Sequence, residues 1–375
     1  MQERLSEGSR RMKSHASLIL IPTLILLLAL ASACKEETTE PVTHARPNPN
    51  VGKTESVARV PLTIIQTDEQ KDRKTIKEKA AALLAAGDLV ALERMAQDYR
   101  QSKACYADGM WKLKQVYEGL VLERKSTDRE WTNRLAVLGN WTRTQPKSTT
   151  ARVALAQALI DYGWAARGTG FAPTVTDQGW KLFGERLTQA AQVLHDAENL
   201  EEKCPRLWSA WLTIAMGMGA EKSDYEALFQ KATAAEPGFA GYYIQKAMYL
   251  LPRWHGKAKD TARFLESAAN SLGGEAGDVL YAQVAWSLQG VEGNIFDTDA
   301  CGLSWPRTER GFVVLERRYP NSPFVQNAHA YLAVMGSDRF SVPRRLVDRL
   351  QGRLDPEAWT SKDNFVRLTK SLYER

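Results

Sequence analysis

Two short segments carry the side chains best suited to gripping a ligand. Arg167-Gly168-Thr169-Gly170 follows Tyr162 and Trp164, and Arg253-Trp254-His255-Gly256 stands at another helix end. Each sets a cation or an imidazole beside aromatic surface in a loop relaxed by glycine, a combination that can hold a carboxylate, a phosphate or a peptide backbone. The binding candidates are therefore Trp164, Arg167, Arg253, Trp254 and His255. The same residues also have a purely structural use, because tryptophan packs between helices and arginine caps helix carbonyls. With 11 Trp in the chain, most of the indoles must belong to the core.

Other chemistry is sparse. No Cys-x-x-Cys pair, zincin motif, nucleophile elbow or Walker loop occurs, and Gly168-Thr169-Gly170 and Gly217-Met218-Gly219 lack the strand that a phosphate loop needs. His195, His255 and His329 are isolated, whereas a metal site needs three or four convergent donors, so no metal and no cofactor are expected. The formal charge is +6, and the leader through Ala33 carries four basic and two acidic residues, leaving +4 beyond it. With no dense Lys/Arg cluster, that balance does not call for nucleic acid.

One cysteine stands apart from the others. A basic segment is followed by the apolar run Ala16 to Ala31, then by Leu30-Ala31-Ser32-Ala33 directly before Cys34. This is the layout of a secretory signal, with an apolar stretch too short to span a bilayer and interrupted by Pro22. It resembles the lipobox of bacterial lipoproteins, which implies cleavage after Ala33 and acylation of the Cys34 thiol. Translation can start at Met1 or at Met12, which opens a tidier signal. Lys35 in place of Asp leans towards an outer membrane, with the protein facing the periplasm. If Cys34 is lipidated, Cys105, Cys204 and Cys301 remain, and Cys204 and Cys301, each beside a turn residue, are the pair that could form a disulfide.

Three regions follow: a signal peptide at 1–33, a flexible tether at 34–72 rich in Thr, Glu, Asn and Pro, and a helical domain at 73–375. The Val60 to Ile65 island in the tether is apolar enough to dock on the domain. Helical spacing then persists. Tyr225, Leu228, Phe229 and Ala232 fall on one face behind a Ser223/Glu226 capping box, Thr127 with Glu130 opens another helix, and Asp355-Pro356 caps a third. Four segments share a turn, an Ala-rich helix punctuated by aromatics, and a closing Gly, beginning at Pro146, Pro205, Pro237 and Pro320. The 32-residue step from Pro205 to Pro237 is close to the period of tetratricopeptide repeats. The expected fold is all-α, an α-solenoid of tetratricopeptide-like helical hairpins, with Tyr162, Trp208, Tyr243, Tyr249 and Tyr331 lining its concave face.

Residues Leu84 to about Gly290, with Ala85-Ala86-Gly87-Asp88, Tyr106-Ala107-Asp108-Gly109-Met110-Trp111-Lys112, Trp164-Ala165-Ala166-Arg167-Gly168, Thr174-Val175-Thr176-Asp177-Gln178-Gly179-Trp180 and Pro252-Arg253-Trp254-His255-Gly256, resemble the bacterial family called domain of unknown function 4034. The resemblance implies a helical, tetratricopeptide-like domain, often on exported proteins, and no particular activity. Tether, helical body and missing catalytic motifs together lead to the expectation of a membrane-anchored envelope lipoprotein that binds a protein or peptide. The rival is an enzyme acting on an envelope glycan or peptide, with Arg167, Trp254 and His255 joined by a carboxylate such as Asp161 or Asp177.

Overall fold

The computed structural model describes residues 60–168, 170, 172–291, 293–299 and 301–374. The signal peptide, Cys34 and the tether up to residue 59 lie outside the described residues. Helical structure begins earlier than the expected boundary at 73, at Asp68. The reason is a capping box: Thr67 accepts from the Gln70 amide, and Gln70 Oε1 accepts from the Thr67 amide at 3.0 Å.

Sixteen α-helices follow among the described residues: α1 (Asp68–Ala86), α2 (Leu89–Ser102), α3 (Leu113–Leu120), α4 (Asp128–Thr144), α5 (Thr149–Arg167), α6 (Asp177–Glu198), α7 (Pro205–Gly217), α8 (Lys222–Ala235), α9 (Ala240–Tyr249), α10 (Asp260–Leu272), α11 (Gly274–Leu288), α12 (Trp305–Arg318), α13 (Pro323–Gly336), α14 (Ser341–Arg349), α15 (Pro356–Trp359) and α16 (Lys362–Thr369). The strands, β1 (Thr63–Ile64) and β2 (Arg353–Leu354), have two residues each. The protein is all-α, built of antiparallel helical hairpins. The helix lengths vary, from 22 residues in α6 to 4 in α15.

Burial explains the arrangement. Helices α5, α7, α9 and α11 are apolar nearly all round, as α11 shows with Val279 to Ala282, Val284 to Trp286 and Leu288 all buried. Each of α3, α5, α7, α9 and α11 packs on the next in that series, while α4, α6, α8 and α10 lie between them in sequence and present one apolar face. Three of the four aromatic, Gly-ended segments anticipated from sequence are thus α5, α7 and α9 of this stack, and the fourth is α13. Close approach is set by glycine: a Cβ on Gly119 would lie 2.3 Å from the Lys77 carbonyl of α1, and one on Gly311 would lie 2.1 Å from the Asp278 carbonyl of α11.

The two ends of the described chain meet. Strand β1 pairs in parallel with β2, through Thr63 N to Gly352 O at 2.8 Å and Ile65 N to Leu354 O at 2.9 Å, so the apolar island docks after all. A β-turn hairpin between α2 and α3 closes through Tyr106 N to Met110 O and Lys112 N to Ala104 O, with Gly109 at φ +81° at its tip. It reaches across to α9 and α11. Among the described residues no helix is long and apolar enough to cross a membrane.

Two local expectations need correction. Ser223 and Glu226 make no capping box, because α8 starts two residues earlier, behind Glu221, and Glu226 instead pairs with Lys246 at 2.6 Å. The Cys204–Cys301 disulfide is absent among the described residues: both side chains are buried, and Cys204 sits 3.4 Å from the Tyr117 hydroxyl on the α3 side of the stack.

Candidate functional site

The two candidate segments, about 90 positions apart in sequence, converge in space. Helix α5 starts at Ser148, which caps the Ala151 amide, and ends at Gly168, whose φ of +75° lets the chain turn away after Arg167. Trp164 is buried one turn before that end, with its ring 4.4 Å from Phe183 of α6 and 6.4 Å, edge-on, from Trp254. The column continues from Trp254 to His255, from His255 to Tyr249 at 4.6 Å, and from Tyr249 to Tyr225 at 3.8 Å. Arg167 flanks it, 5.4 Å from the Trp164 ring and 5.0 Å from the Trp180 ring. Arg253, Trp254 and His255 are half-buried, while Trp164 and Arg167 are buried.

This geometry joins α5 and α6 to α8 and α9. Arg167 Nη1 donates to the Gly168 and Gly170 carbonyls at 3.3 and 3.2 Å, so the guanidinium ties down the turn after α5. Burial and the neighbouring Arg124 push Arg167 down to about 10. His255 Nε2 lies 3.3 Å from the Met216 carbonyl, and burial lowers its affinity for a proton. An imidazole held this way is a neutral packing element. Asp177 is exposed in the first turn of α6.

Asp161 has the more unusual surroundings. It is 5 % exposed, and burial pushes it up to about 7 although Arg124 and Arg206 lie near enough to lower it. Gln157 Nε2 donates to both of its carboxylate oxygens at 3.2 Å, and Arg206 Nη2 of α7 donates to Gln157 Oε1 at 3.1 Å. Farther along the stack, Gln245 Nε2 of α9 donates to the Ser209 carbonyl and the Thr213 hydroxyl of α7, both at 2.9 Å. Gln283 Nε2 of α11 donates to the Ala107 carbonyl in the hairpin at 3.0 Å. A ladder of amides and a guanidinium therefore crosses the apolar stack.

These ladder residues escape a reading based on motifs, yet they leave a signal: Gln157, Arg206, Gln245 and Gln283 are isolated polar residues within strongly apolar helices. Such groups must find partners across the packing surface or carry a desolvation cost. Arg206 Nε, Ser209 Oγ and Gln245 Oε1 are buried without a hydrogen-bond partner among the described residues. Of the five aromatics expected on an open concave face, Tyr162, Trp208 and Tyr331 are half-buried, and two are not available there. Tyr243 and Tyr249 are buried, Tyr162 stacks on Trp131 at 5.1 Å, and the hairpin covers part of the stack.

Among the described residues no group of His, Cys, Asp and Glu side chains could hold a metal ion. Comparison with known protein families, with curated proteins and with solved structures finds no match to this chain.

Proposed function

We propose that the protein is an envelope lipoprotein, anchored through Cys34, whose stacked helical hairpins bind an extended segment of a partner protein or peptide. One observation carries this reading. The stack already holds a hairpin of its own chain by contacts of the kind a bound peptide would use. Gln283 grips the main-chain carbonyl of Ala107, the Trp111 ring packs edge-on against Phe239 at 5.2 Å, and Lys103 pairs with Glu236 at 2.7 Å. The rungs at Gln157, Arg206 and Gln245 extend the same donor pattern along α5, α7 and α9, with guanidinium and amide groups suited to a peptide backbone or a carboxylate.

The test is site-specific photocrosslinking in intact cells, with the reactive group at position 157 or 206 and a control at exposed Lys181 on α6. The scaffold reading expects one discrete adduct at the ladder positions, absent at 181, with the adduct at 157 lost in an Arg206→Ala background. Equal labelling at all three positions, or no adduct at 157 and 206, overturns it.

A further inference from the structure

Where α1 meets the segment around β2 and α15, carboxylates crowd around a single guanidinium. Arg73 of α1 lies between Glu69 at 2.5 Å and Asp108 of the hairpin at 2.8 Å, with its guanidinium 4.0 Å above the Tyr106 ring. From the other segment come Asp355 and Glu357, at the start of α15. Asp355 is 1 % exposed; its Oδ1 accepts from the Glu357 amide at 2.8 Å and from Gln70 Nε2 at 3.4 Å, and its Oδ2 has no hydrogen-bond partner among the described residues. Four acids on three elements thus share one arginine. The nearby charges are committed elsewhere or stand at the edge: Lys112 pairs with Asp72, which also accepts from the Tyr106 hydroxyl, and Lys114 pairs with Glu118. Tyr319 and Arg318 at the end of α12, and Cys105 in the hairpin, complete the groups facing the joint.

We propose that this joint is a pH-sensitive clasp between the start of the helical body and its last helices, closed in mild acid and loosened in mild alkali. With every carboxyl ionised the buried joint would hold four negative charges against one positive, and unpaired buried charge is strongly unfavourable. The clasp closes by keeping protons. Burial, with Asp108 adding to it, pushes Glu69 up to about 7, burial pushes Asp355 up to about 7, and burial raises Glu357. These acids bind protons more tightly in the closed joint than in open chain. Their stabilisation is therefore complete below the ordinary carboxylate range and is lost as the pH rises through about 7. The parallel β1–β2 pairing is the element that releases, because two strands of only two residues each and the docked Leu62 region hold it.

The measurement is amide hydrogen exchange of the whole chain in detergent, at about pH 5.5 and about pH 8, with intrinsic rates corrected for pH. The amides of Thr63 and Ile65 report on the clasp, and Ala247 in α9 reports on the body. Protection of Thr63 and Ile65 is expected to fall by about tenfold or more between the two conditions while that of Ala247 holds, one pKa unit corresponding to a factor of ten. Glu69→Gln and Asp355→Asn, which keep size and hydrogen bonding, should each flatten that response. Equal protection of Thr63 and Ile65 at both pH values overturns the clasp, as does an undiminished response in Glu69→Gln. Should Asp355→Asn fail to fold, the wild-type series and Glu69→Gln still decide.

Discussion

The Nε2 of Gln283 donates to the carbonyl of Ala107 at 3.0 Å, joining residues 176 positions apart and fixing the α2–α3 hairpin on α11. Gly109, two residues on, makes this approach possible: a Cβ there would come 2.6 Å from Gln283 Oε1, and its φ of +81° is one that other residues resist.

Removal of that contact gives a first prediction. Gln283→Ala leaves the buried Ala107 carbonyl without its donor and should cost about 1–3 kcal/mol of stability. Gly109→Ala should cost at least about 1 kcal/mol, through strain and displacement of the amide. Urea unfolding followed by circular dichroism measures both, and unchanged midpoints would show that the hairpin rests on Trp111 and Tyr106 alone.

Arg167 and Arg253 should behave differently from each other. From sequence, loss of either is expected to leave the fold nearly intact. Arg167, however, is buried against Trp164 and Trp180 and holds two turn carbonyls, so Arg167→Ala should destabilise by about 2 kcal/mol or more. Half-buried Arg253→Ala should shift the melting temperature far less. A thermal melt of the two variants side by side checks the ranking.

Trp164 anchors the aromatic column. Trp164→Ala opens a large cavity among Phe183, Trp254 and Arg167 and should cost about 3–5 kcal/mol. Trp254→Ala, at the half-buried edge, should cost less. Calorimetric melting distinguishes them, and equal effects would mean that Trp254 carries as much packing as Trp164.

Asp161 makes a pH prediction independent of the clasp. Its affinity for a proton is raised in the fold, so its contribution is present in full below about 4 and is lost as the pH rises through about 7. Asp161→Asn keeps an acceptor for Gln157 and removes the titration. The variant should therefore gain stability relative to wild type at about pH 8 but not at about pH 4. Denaturant midpoints across that range report the difference, and parallel curves would place the titration elsewhere.

The Cys34 thiol is the expected anchor. Cys34→Ala should abolish incorporation of labelled fatty acid and leave an uncleaved or soluble precursor, whereas undiminished labelling would remove the lipoprotein reading.

Local architecture is legible in neighbouring residues. Thr127 with Glu130, and Asp355 before Pro356, cap helices where the residues predict, and the Tyr225, Leu228, Phe229 and Ala232 face is buried. Capping and a 3.6-residue apolar period act over one or two turns, so they are written in adjacent residues. The tertiary structure alone decided where the polar groups go. Nothing near Gln283 in sequence points to Ala107, nothing near Trp164 points to Trp254, and the two-residue strands β1 and β2 are too short to leave a pattern of alternation. Asn327 illustrates the same limit: on an apolar helix it looks out of place, yet its Oδ1 accepts from Trp359 Nε1 at 2.8 Å and from the Asp355 amide at 3.1 Å, holding the last helices to α13. A buried polar group must find its partner wherever the packing of helices places one, and that packing is a property of the whole chain rather than of any segment of it.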